Sequence, residues 1–186
     1  MAIIPNNEQR VGVFIDIQNL YHSAKNLYGA RVNYPELLKV LTNGRKFSRA
    51  LAYVVRSDPS TGEESFFEAL EKTGIEVMSK DIQVFSSGAK KADWDVGIAV
   101  DAIRMSDAFD IMILVSGDGD FVPLVKYMQW GLGKGVEVAA FGKTTSSLLR
   151  EAANTYIDLD TMSKVIFKTP KSSSSRSSKN TKNGSK

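Results

Sequence analysis

The chain has 186 residues, of which 42% are hydrophobic and 24% are charged, a composition typical of one globular domain followed by a short tail. It contains no cysteine, which excludes disulfide bonds, thiolate zinc sites and a cysteine nucleophile. The net charge of +3 conceals an asymmetry, because residues 168–186 carry six basic side chains and no acid, while the rest of the chain is mildly acidic.

The sequence predicts a soluble, cytoplasmic protein without a membrane segment. Its N-terminal residues lack a positive stretch followed by a long apolar run, and no apolar run approaches the ~20 residues of a membrane span. We divide the chain into an N-terminal segment (1–10), a folded domain (11–167) and a disordered, basic tail rich in serine and lysine (168–186). The tail either binds phosphates without sequence preference or only increases solubility.

Hydrophobic periodicity predicts the secondary structure in chain order. In the first half we expect a strand over 11–17, a helix over 19–28 ending near Gly29, a helix beginning at Pro35, a strand over 50–55, a helix over 65–72, and short strands over 75–78 and 82–85. A loop at 86–88 leads to the second half, where we expect a helix over 93–105, a strand over 110–115, a helix over 121–130, a strand over 135–141, a helix over 146–153 and a strand over 156–157.

This alternation of strands and helices predicts an α/β fold with a mostly parallel sheet and helices on both faces. The aromatic residues Trp94, Phe121 and Trp130 occupy core-like positions of the predicted helices. In such sheets ligands bind outside the carboxyl ends of the strands, where the winding reverses. Polar residues that directly follow strands are therefore the first candidates for a ligand site.

Carboxylates follow two of the predicted strands. Asp16 ends the first, and Asp118 and Asp120 follow the strand over 110–115. If these strands are neighbours, three like charges converge, and at about 4 Å each pair repels by roughly 4 kcal/mol at an effective dielectric near 20. A divalent cation is the simplest reason for such a cluster. A helix-capping role remains open for Asp16, and the same role suits Asp120 better than Asp118.

A third acidic contribution comes from the start of the helix over 93–105, where Asp95 is the preferred ligand. Asp93 suits a helix cap, and Asp101 lies about 120° round the helix from Asp95 and should face another direction. Lys90 and Lys91 precede this helix, so acidic and basic groups are presented together, as a phosphodiester and its metal ion require.

Three motifs together resemble the NYN domain, specifically its LabA-like branch among the PIN-like nucleases. They are FIDIQNL at the first strand, KKADWDVGIAVDAI at the helix over 93–105, and LVSGDGDFVPLV at the strand, turn and helix that follow. The resemblance runs from about residue 11 to residue 159, in the expected order, and the combination is more specific than any one motif. It implies a Rossmann-like, PIN-type α/β/α sandwich that binds Mg²⁺ or Mn²⁺ and cleaves RNA, leaving 5′-phosphate and 3′-hydroxyl ends.

The same resemblance implies a set of site residues. The catalytic metal ligands are Asp16, Asp95, Asp118 and Asp120, and the substrate-binding companions are Asn19, Ser116, Thr144 and Ser146. Lys90, Lys91 and Lys143 are candidates for touching phosphates, although each is also compatible with a solvated surface position. One departure is Asn154, since relatives often carry an acid before the final strand.

The chemistry of these residues favours a metal-dependent mechanism. Oxygen ligands suit Mg²⁺ or Mn²⁺ better than zinc, which prefers histidine and cysteine. The only histidine, His22, cannot supply both acid and base for RNA cleavage without a metal, and its position indicates the surface or the lining of a groove. We therefore expect a metal-dependent ribonuclease acting on RNA, with single strands the preferred substrate.

Other functions use similar fragments. A haloacid-dehalogenase-type phosphatase needs Asp-x-Asp after its first strand, where Gln18 occupies the second position, and a Toprim-type enzyme needs a glutamate in place of Asp16. The main alternative is a non-catalytic RNA- or nucleotide-binding regulatory module that keeps the metal site and acts through a protein partner. A homo-oligomer is also compatible with the sequence.

Overall fold

The computed structural model describes residues 6–56, 63–84, 90–91 and 93–168. Within these ranges the strands are β1 (Arg10–Asp16), β2 (Ala30–Val32), β3 (Lys46–Arg56), β4 (Ile75–Asp81), β5 (Gln83–Val84), β6 (Lys90–Lys91), β7 (Ile111–Val115), β8 (Gly135–Ala140), β9 (Thr155–Asp158) and β10 (Ile166–Lys168). The α-helices are α1 (Ile17–Tyr28), α2 (Tyr34–Thr42), α3 (Glu63–Glu71), α4 (Asp95–Arg104), α5 (Val122–Lys126) and α6 (Ser147–Ala152). None of these helices is long and apolar enough to cross a membrane.

Six of the strands form the central sheet, in the spatial order β4, β3, β1, β7, β8, β9, and every neighbouring pair is parallel. Numbered along the chain within this sheet, the order is third, second, first, fourth, fifth, sixth, which is the doubly wound arrangement. The prediction of an α/β fold with a mostly parallel sheet is therefore confirmed. Because the winding reverses between β1 and β7, the ligand crevice is expected outside their carboxyl ends.

Helices cover both faces of the sheet. Consecutive residues in the middle of β1 point to opposite sides and are apolar, so both faces have side chains to bury. On one side Ile15 belongs to a core that includes Leu20 of α1, together with residues of α2 and α3. On the other side Phe14 belongs to a core that includes Ile98 of α4 and Leu149 of α6. The sheet is buried on both faces, which agrees with the uninterrupted apolar sequence of β7.

The first two helices begin and end where capping residues allow it. Asp16 caps α1, which ends at Gly29 in the left-handed conformation at φ 58°. Asn33 caps α2 by accepting a hydrogen bond from a backbone N–H in the first turn, and Pro35 lies in that turn as predicted. Asn43, at φ 46°, ends α2.

A small antiparallel sheet pairs β2 with β10, and the sequence did not predict it. Lys168 ends β10 and pairs with Ala30, so this strand includes the first residue of the segment that was predicted as a tail. Residues 1–5, the predicted loop at 86–88 and residues 169–186 of the predicted tail lie outside the described residues.

The helix predicted over 121–130 has a different form. A 3₁₀ turn (Gly119–Phe121) leads into the short α5, which continues as a π-helical turn (Tyr127–Gly131). Phe121 is buried as predicted, but Trp130 is 87% exposed. The prediction that Trp130 belongs to the core is wrong, because it assumed regular α-helical periodicity through a segment that ends in a wider turn.

Candidate metal centre

Asp16 lies at the carboxyl end of β1 and caps α1. Its Oδ1 accepts a hydrogen bond from the backbone N–H of Asn19 (3.1 Å), and its Oδ2 accepts one from the hydroxyl of Ser116 (3.1 Å). The helix-capping role that the sequence left open for Asp16 is therefore present. Since Ser116 directly follows β7, its bond to Asp16 ties together the two strands at which the winding reverses.

Ser116 and Asn19 hold the turn that follows β7. Ser116 has no exposed surface, and besides donating to Asp16 its oxygen accepts from the backbone N–H of Asp118 (3.2 Å). The side-chain oxygen of Asn19 accepts from the backbone N–H of Gly117 (3.0 Å). Both residues were predicted to contact substrate, and the structure gives their side-chain oxygens bonds within the protein.

The turn itself presents Asp118 and Asp120. Oδ1 of Asp118 accepts a hydrogen bond from the backbone N–H of Asp120 (3.0 Å), so Asp118 caps the 3₁₀ turn. The sequence analysis considered a role at a helix N-terminus more suitable for Asp120 than for Asp118, whereas Asp118 is the residue that caps this turn. Asp118 is half-buried, whereas Asp120 is exposed.

Asp95 is placed by its neighbour Trp94. The indole N–H of Trp94 donates to the backbone oxygen of Val54 at the end of β3 (2.8 Å), which anchors the start of α4 to the sheet. The ring also lies against Gly97, where an added Cβ would come within 2.5 Å of it. The N-cap position of α4 is occupied by Trp94, which makes no side-chain capping bond, and Asp93, predicted as a helix cap, lies one residue before it.

Asp101 has a separate structural role on α4. It is buried, accepts a hydrogen bond from the hydroxyl of Tyr53 (3.1 Å) and forms a salt bridge with Arg104 (2.8 Å). These partners occupy both of its oxygens, which agrees with the expectation that Asp101 faces away from the site.

Three of the four predicted ligands come together. Asp95, Asp118 and Asp120 each offer a carboxylate oxygen, and these oxygens all lie within 4.8 Å of one another. Asp16 does not belong to this group and lies beside it, joined to the turn through Ser116. Among the described residues none of the four aspartates forms a salt bridge.

Two carboxylates of the site have a raised pKa, and no described basic side chain forms a salt bridge with them. Burial, followed by repulsion from Asp118, Asp16 and other nearby acids, raises the pKa of Asp95 to about 6. Burial also raises the pKa of Asp16, against the opposing effect of its hydrogen bonds from Asn19 and Ser116. Both carboxylates are therefore easier to protonate than free aspartate.

The segment after β8 packs against the turn that carries Asp118. The backbone N–H of Ser146 donates to the oxygen of Gly117 (2.9 Å), and a Cβ on Gly119 would lie 2.9 Å from the Ser146 hydroxyl. Ser146 thus lies directly beside the turn, and glycine at 119 leaves room for this close approach.

The other predicted substrate contacts are more scattered. The hydroxyl of Thr144 donates to Ser23 of α1 (2.9 Å). Lys143 is exposed and places its ammonium 6.0 Å from the centre of an aromatic ring of α1. Lys90 and Lys91 form β6, which pairs with β5. Neither Thr144 nor Lys143 is tied to the aspartate group by a hydrogen bond among the described residues.

A match to a known domain family covers most of the chain, including the part that carries the aspartates. The model of the NYN domain matches residues 10–160. The chain belongs to the NYN domain family. The motifs that suggested this family therefore predicted it correctly, and the aspartates described above all lie within the matched part of this NYN domain.

Two relatives cover nearly the whole NYN domain chain. It is 27% identical over 177 residues to the low amplitude and bright protein LabA of Synechococcus elongatus, an alignment that covers 91% of this chain and 92% of the relative. A crystal structure of VPA0982, a protein of unknown function from Vibrio parahaemolyticus, is 30% identical, has a TM-score of 0.80, and covers 89% of this chain and 100% of its own. This similarity confirms the LabA-like assignment and the fold.

The sequence analysis missed an acid at the end of the last strand of the sheet. Asp158 ends β9, and its Oδ1 accepts from the backbone N–H of Gly142 (3.3 Å). The signal was available, because Tyr-Ile-Asp at this strand repeats the pattern Phe-Ile-Asp of β1. Asn154 lies at the other end of the same strand and accepts from the backbone N–H of Val136 (2.7 Å), so it stabilises strand pairing.

Proposed function

We propose that this protein is a ribonuclease that uses Mg²⁺ or Mn²⁺ to hydrolyse phosphodiester bonds of single-stranded RNA. The observation that carries the proposal is the group of three carboxylates within 4.8 Å, without a positive partner among the described residues, at the point where the sheet reverses its winding. Membership of the NYN domain family supports a nuclease over other users of such a site.

The residues present fit a hard divalent cation. Asp95, Asp118 and Asp120 would hold it through oxygen atoms, the donors that Mg²⁺ and Mn²⁺ prefer. Asp16 would contribute negative charge from beside the group. When bound, the cation supplies a Lewis acid that polarises the phosphodiester and lowers the pKa of water.

The remaining site residues prepare this arrangement before any ligand arrives. Asp118 fixes the backbone of Asp120, while Ser116 connects Asp16 to the same turn. Asn19 holds the turn to the start of α1. Because these bonds are formed within the protein, the carboxylates need little rearrangement when a cation binds, which favours both affinity and catalysis.

A cleavage assay with a matched pair of variants tests the proposal. We expect end-labelled single-stranded RNA to be cut only with Mn²⁺ or Mg²⁺. Asp118→Asn should lower the rate by about 10- to 100-fold, since it removes a negative charge from the metal site. Asp107→Asn, an exposed acid at the opposite end of the sheet, is the control and should cut at the normal rate. Unchanged cleavage in Asp118→Asn would contradict the assignment.

Thermal unfolding separates catalysis from binding in the same preparations. A cation at 100 times its dissociation constant stabilises the folded state by about 2.7 kcal/mol, and Asp118→Asn should lose this effect. If the metal stabilises the protein and RNA stays intact, the protein is a binding module that keeps its metal site.

A further inference from the structure

The carboxyl edge of the sheet, where its parallel strands have their carboxyl ends, has a second feature. It is a cavity of about 370 Å³ between α1 and α3. This volume lies in the range of small-molecule sites. The walls come from the first turns of α1, the end of β3 and two adjacent phenylalanines of α3. The side chains on the two helices are Ile17, Gln18, Tyr21, His22, Phe66 and Phe67.

The cavity is aromatic and has positive charge at its margin. The guanidinium of Arg56 lies 5.6 Å from the centre of the Phe67 ring, and the ammonium of Lys25 lies 5.5 Å from that of Tyr21. No described residue that lines the cavity is acidic. The cavity thus lacks the negative charge of the aspartate group, and flat rings with cations nearby suit an aromatic ligand that carries a phosphate.

The wall of the cavity also contains the polar side chain of Gln18. The side-chain amide of Gln18 makes no hydrogen bond within the part of the chain that the structure describes. An amide offers both donors and an acceptor, which is the combination needed to bond to the edge of a nucleobase.

The cavity lies next to two strand ends that also support the aspartate group. Ile17 and Gln18 directly follow Asp16 in the chain, so β1 leads into the cavity and carries the carboxylate that lies beside the group. Val54, near the end of β3, lines the cavity. Its backbone oxygen accepts a hydrogen bond from the indole N–H of Trp94, the residue before Asp95. The cavity is therefore connected to the aspartate group through neighbouring residues of both strands.

We propose that this cavity binds one unpaired nucleobase of the substrate, between the rings of Tyr21 and the α3 phenylalanines, while the attached phosphate lies toward the aspartate group. This inference rests on the proposed function and adds a recognition element to it. A base inside a duplex is stacked and paired, so it cannot enter such a cavity. The cavity thus gives a physical reason for a preference for single strands.

Mononucleotides test the inference without the need for cleavage. We would titrate the full chain, with Mg²⁺ present, with uridine 5′-monophosphate, adenosine 5′-monophosphate and ribose 5-phosphate, which differ only in the base. Stacking of a base strengthens binding by roughly 5- to 150-fold, so at least one nucleotide should bind that much more tightly than ribose 5-phosphate. Shifts of the amide resonances of Gln18 and Tyr21 in nuclear magnetic resonance spectra should accompany binding. Equal affinity for all three ligands would overturn the inference.

Two tyrosines of similar exposure provide a variant and its control. Tyr21→Ala should reduce the advantage of the nucleotide over ribose 5-phosphate, because Tyr21, which is 43% exposed, lines the cavity. Tyr127→Ala removes an equally exposed ring, 49%, from the π-helical turn and should leave that advantage unchanged. An equal loss in both variants would count against the cavity.

The outcomes distinguish this inference from the proposed function. Base-dependent binding without RNA cleavage would support the cavity and contradict the nuclease proposal. Metal-dependent cleavage with binding that ignores the base would support the nuclease and contradict the cavity.

Discussion

The two edges of the central sheet place their carboxylates in opposite environments. At the amino edge acids have guanidinium partners: Arg45 binds Glu137 through two contacts of 2.7 and 2.9 Å, and Arg10 binds Asp110 at 2.8 Å. The Arg10 guanidinium lowers the pKa of Asp110. These acids are matched by charge, and their interactions connect separate elements of the fold.

At the carboxyl edge the aspartates have each other as neighbours, and the pKa of Asp95 and of Asp16 is raised. The partner of an acid, and not its residue type, therefore separates a carboxylate that stabilises the fold from one suited to a ligand. Substitutions at the two edges should therefore have opposite effects on stability.

The largest effect is expected from Arg45→Ala. Arg45 and Glu137 are each about 6% exposed, and removal of one partner leaves a buried charge uncompensated. We expect a loss of about 3–5 kcal/mol in the free energy of unfolding, measured with urea. Arg45→Met combined with Glu137→Leu should recover part of the loss, since two apolar side chains leave no buried charge. Similar stability of Arg45→Ala and wild type would remove the contrast between the edges.

An intermediate effect of opposite sign is expected from Asp95→Asn in a chelating buffer. The folded-state pKa of Asp95, about 6, lies above the unfolded value of 3.8, so the folded protein binds more protons between these values. Wild-type stability should therefore fall as the pH rises from about 4 to about 6, and the variant lacks this loss. At neutral pH it should be more stable by up to about 1 kcal/mol, a limit set by solvent screening, or ~2–4 °C in Tm.

Melting curves between pH 4 and pH 8 measure the difference in stability, or gap, between Asp95→Asn and wild type, with Asp107→Asn again as the control. A gap that is constant over this range, or a variant that is less stable than wild type at neutral pH, would mean that Asp95 is a structural residue.

The smallest effect is expected from Glu76→Gln. Glu76 forms an exposed pair with Arg49 (2.6 Å), which lowers its pKa below the ordinary value. Exposed pairs contribute less than about 1 kcal/mol, so the loss at neutral pH should be small and should shrink further in 1 M salt. The contribution is present above the unfolded pKa of 4.5 and is lost as the pH falls through the folded value. A loss as large as that of Arg45→Ala would contradict this ranking.

The sequence predicted the main strands, the sheet type and the acids that follow β1 and β7, because those signals are local and repeat at a fixed period. It could not predict the pairing of β2 with β10. These are three-residue strands separated by more than 130 positions, so neither periodicity nor turn chemistry indicates that they meet.

The division of labour among the aspartates was also beyond the sequence. Motif spacing placed Asp16 with Asp95, Asp118 and Asp120 in one site, but the oxygen that each side chain presents depends on hydrogen bonds from other elements. The hydroxyl of Ser116 and the backbone N–H of Asn19 donate hydrogen bonds to the carboxylate of Asp16, whereas the carboxylates of the other three aspartates approach one another. Which carboxylates meet thus depends on tertiary packing at distances of a few Å, which motif spacing does not give.

The contrasting exposure of the two tryptophans gives the protein an internal optical reporter. Trp130 stands in solvent, while Trp94 is bonded to β3 beside Asp95 and touches the ring of Tyr53, with centroids 5.3 Å apart. Trp130→Phe would leave a single indole next to the aspartate group. The fluorescence of that indole would then follow the occupancy of the site directly, without a label attached to protein or RNA.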